Sequence, residues 1–121
     1  MPAEALQRWL LALNTQGELA AVREAVEPDC ELLRFGWGAD AERVQERFVG
    51  TEAVASWLRR SPQGTVFQLE GEPSAAGERW EQRYRVQIGE FQNQGRWLLS
   101  LGPEGRIARL EHRPQDLPPQ A

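Results

Sequence analysis

The chain has 121 residues, 40% of them hydrophobic and 26% charged, with five Trp and four Phe; this is the size and make-up of one packed core and excludes the polar composition of a disordered chain. Its net charge of -4 comes from 18 acidic residues against 14 basic ones, and every basic residue is Arg with no basic run, so neither nucleic acid nor a membrane surface is expected as a partner. A single cysteine, Cys30, and a single histidine, His112, exclude an intrachain disulfide and a Cys/His zinc cluster, and no metal or cofactor is implied.

The first twenty residues set Glu4, Arg8 and Glu18 among short apolar groups, unlike a leader or a membrane span, so a cytoplasmic location is expected. Leu6, Trp9, Leu10 and Leu13 fall at helical spacing and predict an amphipathic helix over Ala3 to Leu13, with Pro2 suited to its first turn. Thr15-Gln16-Gly17-Glu18 has the spacing of a capping box and predicts that a second helix opens there, packs Leu19, Val22 and Val26, and ends at Pro28. Cys30 to Phe35 alternates imperfectly and reads as a strand. Gly36-Trp37-Gly38-Ala39-Asp40 reads as a loop, Val44 to Val49 as a short edge strand, and Gly50-Thr51 as the start of a third helix reaching about Arg60 with Val54, Trp57 and Leu58 inward.

The second half has no helical period and reads as a meander of strands. Thr65 to Glu70 forms one run, with Glu72 to Gly77 as its connection. Arg79 to Ile88 is the clearest alternation, with Trp80, Gln82, Tyr84, Val86 and Ile88 on one face and charged or polar residues on the other. Gln92-Asn93-Gln94-Gly95 is read as a turn into Arg96 to Leu101, and Gly102-Pro103-Glu104-Gly105 as a turn into Arg106 to His112. The organisation expected is one domain over residues 1–113 followed by a Pro-rich tail, 114–121, that cannot continue as a central strand.

The order of these elements, together with Gly17-Glu18-Leu19, Pro28-Asp29-Cys30-Glu31-Leu32, Gly50-Thr51-Glu52-Ala53-Val54 and Glu104-Gly105-Arg106-Ile107, resembles the nuclear transport factor 2-like (SnoaL-like) superfamily over roughly Leu6 to His112. The resemblance implies an α+β roll of the cystatin-like kind. In it a strongly curved, mostly antiparallel sheet wraps three helices into a cone with a cavity open at one end, and a homodimer often forms through the sheet's outer face. The same fold serves isomerases, polyketide cyclases, dehydratases, hydrolases, ligand carriers and non-catalytic interaction modules, so the function rests on the pocket.

In the ketosteroid isomerases of this superfamily a carboxylate base lies toward the end of strand one, and the matching position here is Arg34. A guanidinium stays protonated and cannot take a proton at neutral pH, so that route to isomerisation is disfavoured. Arg34 is instead a candidate anion clamp or an ordinary salt-bridged residue. His112, on the Ala108-Leu110-His112 face of the last strand, is the candidate acid/base, or else a rim histidine. Gln82 and Tyr84 are candidate orienting groups, with a structural Gln as the alternative. Trp9, Trp57, Trp80 and Trp97 are candidate lining groups, and Trp37 is a candidate lid or dimer contact from its loop, although large aromatics also simply fill cores. Phosphate-loop, dinucleotide, GxSxG and HExxH motifs are missing. The expected function is therefore binding of a small apolar or acidic molecule in the cone, with a lyase, isomerase or cyclase activity as one outcome and a homodimeric interaction or ligand-carrier module as the other.

Overall fold

The computed structural model describes residues 2–114. Helix α1 spans Ala3–Asn14 and buries Leu6, Trp9 and Leu13 along the stripe set by their spacing, together with Ala5 and Ala12. It stops at Thr15, whose hydroxyl donates to the Leu11 carbonyl at 2.8 Å. The expected capping box is therefore corrected: Thr15 closes α1, and Glu18 precedes α2 (Leu19–Ala25) without a side-chain cap. The cause lies between them, where Gln16 (φ 54°) and Gly17 (φ 73°) take left-handed conformations that direct Thr15 back to its own helix. Gly17 is required at that bend, because a Cβ there would stand 2.6 Å from the Ala55 carbonyl oxygen.

Strand β1 runs Val26–Phe35, so Val26 and Pro28 belong to the strand and not to the end of α2. Pro28 is tolerated because the ladder is interrupted between Val26 and Glu31, where the missing N–H has no partner to lose. A 3-10 turn at Gly38–Asp40 leads to β2 (Val44–Val49) and then to α3 (Thr51–Leu58), which buries Val54, Ala55 and Leu58. The meander follows as β3 (Val66–Ala76), β4 (Arg79–Ile88), β5 (Phe91–Leu101) and β6 (Ile107–Pro114).

Two connections lie elsewhere than the sequence suggests. Glu72 to Ala76 is the second half of β3, and Gln92 to Gly95 is the first half of β5. The actual turns fall at Gly77 (φ 68°) and Gly89 (φ 59°), whose positive φ suits tight hairpins. Pro114, expected in the tail, is the last residue of β6 and stands opposite Gly95. The remainder of that tail, 115–121, lies outside the described residues.

The six strands form one sheet in the order β2-β1-β6-β5-β4-β3, with β1 and β6 parallel and every other pair antiparallel. Its concave face carries Cys30, Leu32, Tyr84, Trp97, Leu99 and Leu110, which pack with α1, α2 and α3 into one core, and the buried Gln82. The convex face is built differently. Leu33, Leu98 and Glu111 are buried there beneath guanidiniums that pair within the chain, Arg79 with Glu111 at 2.7 Å and Arg113 with Glu111 at 2.9 Å. The Arg113 guanidinium also lies 3.8 Å from the Phe35 ring centre.

Candidate functional site

Strand alternation delivers Tyr84, Trp97 and His112 to the concave face from three adjacent strands. Trp97 and His112 are direct cross-strand neighbours, and Tyr84 stands opposite Gly95. Because Gly95 has no side chain, the Tyr84 ring leans across β5 and stacks on Trp97 at 4.5 Å and 17°. A Cβ at position 95 would lie 2.5 Å from the Tyr84 hydroxyl oxygen. The same ring stacks on His112 at 5.3 Å and 23°, while Trp57 from α3 meets the imidazole edge-on at 5.1 Å.

The hydrogen bonds give this cluster a direction. Trp97 Nε1–H donates to His112 Nδ1 at 3.1 Å, and an indole nitrogen can only donate, so Nδ1 carries no proton. The proton of the neutral ring then sits on Nε2, 3.1 Å from the Tyr84 oxygen, and donates to it. Tyr84 accepts from His112 and keeps its own O–H free to donate elsewhere; among the described residues no acceptor meets it. Neither imidazole nitrogen offers an open lone pair. Burial first, and the Arg34 guanidinium second, push the His112 pKa down to about 3. Burial likewise pushes the Tyr84 hydroxyl above its ordinary value.

Tyr84, His112 and Trp57 of this cluster wall a cavity of about 190 Å³ lined mostly by apolar side chains, among them Trp37, Phe67, Val86 and Phe91, with Ser61, Thr65 and Asn93 as further polar members. No Asp or Glu lines it. Trp37 also lines the cavity, and its Nε1 is a buried donor without a hydrogen-bond partner among the described residues.

Arg34 stands beside His112 across the parallel β1–β6 pair. Its Nε–H donates to Glu46 at 2.7 Å, and Arg60 reaches the same carboxylate at 2.8 Å. Arg60 first and Arg34 second hold the Glu46 carboxyl below its usual range. Arg34 and Arg60 share an open depression with Trp57 and Ser61, two residues that also line the cavity. Two cations thus meet one carboxylate at the cavity's edge.

Of the residues expected in a site, Tyr84, His112, Trp37 and Trp57 come together around one cavity, and Arg34 lies next to it. Gln82, Trp9, Trp80 and Trp97 do not line it. Trp9 is fully buried against Trp97, edge to face at 6.2 Å. Gln82 spends its amide nitrogen on the carbonyls of Glu70, Gly71 and Arg83 at 3.3, 3.1 and 2.8 Å. Sequence reasoning missed the part played by Trp97 as donor, by Gly95 as the space for Tyr84, by Phe91, and by Asn93, which belonged to the stretch expected to turn. The one available signal for Gly95 was its place facing Tyr84, which needed the hairpin register.

No protein-family model matches the chain, and no curated protein matches it by sequence. Solved structures do match. A candidate isomerase of the SnoaL-like family from Agrobacterium tumefaciens superposes with a TM-score of 0.74 at 19% identity, over 95% of this chain and 97% of that one. A candidate ketosteroid isomerase from Kribbella flavida gives 0.72 at 13% identity, over 98% and 82%. A nuclear transport factor 2-like protein of unknown function from Burkholderia xenovorans gives 0.70 at 16% identity, over 98% and 85%. The chain has the nuclear transport factor 2-like fold. Within the nuclear transport factor 2-like cone, the Tyr84–His112–Trp97 cluster lies on the concave wall of the sheet, which is where the fold offers an enclosed surface to a ligand. The likeness in shape does not carry over the activities of those proteins, since identity at this level speaks for the fold alone.

Proposed function

We propose that this protein binds a small, largely apolar molecule carrying a hydrogen-bond acceptor, and that it holds the molecule in the concave cavity without transferring a proton. The observation that carries this reading is the one-way chain Trp97 N–H to His112 to Tyr84, which leaves the Tyr84 hydroxyl as a donor facing an apolar space. His112 is then a positioning residue. To act as a base at Nε2 it would have to move its proton to Nδ1, against the Trp97 N–H, and no carboxylate lines the cavity to take that role. Tyr84 and Trp37 would donate to a carbonyl or ether oxygen, and the aromatic wall would cover the rest. At about 190 Å³ the space falls below the roughly 300–1,000 Å³ of drug-sized sites, which favours a one-ring molecule. A carboxylate on that molecule would project to Arg34 and Arg60, in competition with Glu46.

A purely interacting module is less well supported, because Arg79, Arg96 and Arg113 of the convex face, where a sheet-to-sheet dimer would form, are already paired with Glu81 and Glu111 of the same chain. The test is a titration of tryptophan fluorescence with acetophenone and with ethylbenzene, which differ in one carbonyl. Acetophenone is expected to bind, and Tyr84→Phe to weaken it about tenfold, the loss of one good hydrogen bond, while leaving ethylbenzene unchanged. Equal effects on both probes would remove Tyr84 as the donor, and no binding of either would remove the cavity as a ligand site.

A further inference from the structure

A second cavity lies at the other end of α1 and has its own polar anchor. Its volume is about 320 Å³, and it is bounded by Ala3, Leu6 and Gln7 of α1, by Leu69, Gly71, Glu72 and Pro73 of β3 and by Gln82 of β4. It shares no lining residue with the Tyr84 cavity. Between the two stands a wall of packed rings, in which Trp97 touches Trp9, Phe67 and Tyr84 with centres 6.2, 6.3 and 4.5 Å apart.

The anchor follows from an irregularity in β3. The β3–β4 ladder breaks between Glu70 and Ser74, where Gly71 adopts φ 75° and Pro73 has no N–H to give. The break leaves main-chain carbonyls without strand partners, and the Gln82 amide nitrogen gathers those of Glu70 and Gly71, with that of Arg83. Three acceptors around that nitrogen fix which way the amide faces, since its oxygen could satisfy none of them. Gln82 Oε1 is consequently a fully buried acceptor with no partner among the described residues, an arrangement that costs about 1–3 kcal/mol unless something donates to it. Beside it the one ionisable lining residue is Glu72, which is exposed and pairs with no Arg among the described residues, and no basic side chain lines the cavity.

We infer that this second cavity is a binding site for a small organic ammonium, a protonated primary amine on a short aliphatic chain. The ammonium supplies three donors and a positive charge, which answer the Gln82 oxygen and the Glu72 carboxylate, and the chain lies against Leu6, Leu69 and Pro73. An acid would meet the like charge of Glu72 with no cation to offset it, so the two cavities select opposite chemistries.

The experiment is a titration of the ¹⁵N-labelled full-length protein with n-butylammonium chloride, with sodium butyrate as the comparison, followed by the amide and indole signals. Saturable shifts are expected for the Gln82 side-chain amide, Gly71 and Gln7 with butylammonium and none with butyrate, while the Trp37 and Trp57 indoles stay in place. Because Gln82 also clamps the β3 break, its replacement could unfold the strand; Glu72→Gln, at an exposed position, is the informative variant and should weaken butylammonium about tenfold. The inference is overturned if the shifts rise linearly without saturating, if butyrate produces the same shifts, or if Glu72→Gln binds as well as the wild type. These outcomes are independent of the acetophenone titration, which reads the other cavity.

Discussion

His112 shows how far a single residue's role depends on what its two nitrogens meet. The sequence marks it as the one side chain that titrates unaided near neutrality, and as inward-facing if the Ala108-Leu110-His112 face is the concave one; the fold sets it on that face but moves its titration away from neutrality. What alternation could not reveal is that Trp97, directly across on β5, donates to Nδ1 and so fixes the tautomer. The fold therefore favours the neutral ring, with a pKa pushed from 6.5 down to about 3, and the sign of its pH dependence follows. Above about pH 6.5 the ring is neutral folded or unfolded, and its contribution is complete. As pH falls from 6.5 toward 3 the unfolded chain takes up a proton that the folded chain refuses, and stability is lost at no more than about 1.4 kcal/mol per pH unit, less because the residue is only half-buried. With one histidine in the chain and the Cys30 thiol pushed far above this range, urea unfolding between pH 7 and 5 reads His112 almost alone. His112→Gln, which can keep a neutral acceptor toward Trp97 and a donor toward Tyr84, should flatten that dependence. If its slope matches the wild type, the assigned tautomer is wrong.

At the scale of elements, the β4–β5 hairpin positions the site, and it is also where sequence reading was weakest. Residues Arg79 to Ile88 alternate so cleanly that the bounds of β4 were legible, but Gln92-Asn93-Gln94-Gly95 contains residues common in turns. What decides the matter is register: the turn at Gly89 pairs Gln87 with Gln92 and carries the ladder on to Tyr84 and Gly95. Composition cannot report a ladder, so the residues read as a turn were those that complete the cavity. Gly95 then follows as the element's critical position. Gly95→Ala places a methyl 2.5 Å from the Tyr84 oxygen and 2.7 Å from the Arg113 carbonyl oxygen, closer than real Cβ contacts allow, and should destabilise the protein by about 1–3 kcal/mol. Near-ultraviolet circular dichroism should change with it, as the Tyr84–Trp97 stack opens. In a double-mutant cycle with Tyr84→Phe the two losses should be less than additive, because removing the hydroxyl relieves part of the crowding; additive losses would mean that Gly95 acts through the backbone and not through Tyr84.

For the molecule as a whole, the sheet is joined into one by its last strand, β6, which lies between β1 and β5. That parallel pairing joins chain ends roughly eighty residues apart in sequence (Val26 with Ile107), and such non-local contacts tend to form and break with the fold as a unit. Cys30 offers a direct reading of this cooperativity. It is fully buried on β1, and its thiol is pushed up to about 12 by burial first and then by the carboxylates of Asp29, Glu27 and Glu31, so in the folded state it is both covered and protonated. Reaction with Ellman's reagent must wait for an opening that frees β1 from β6 and from the helices. If that opening is global unfolding, the labelling rate should rise with urea on the same slope as the unfolding equilibrium followed by circular dichroism, and the two should return the same free energy. Labelling that is rapid in native buffer, or that is insensitive to urea, would instead show β1 detaching by itself and the cone opening without unfolding.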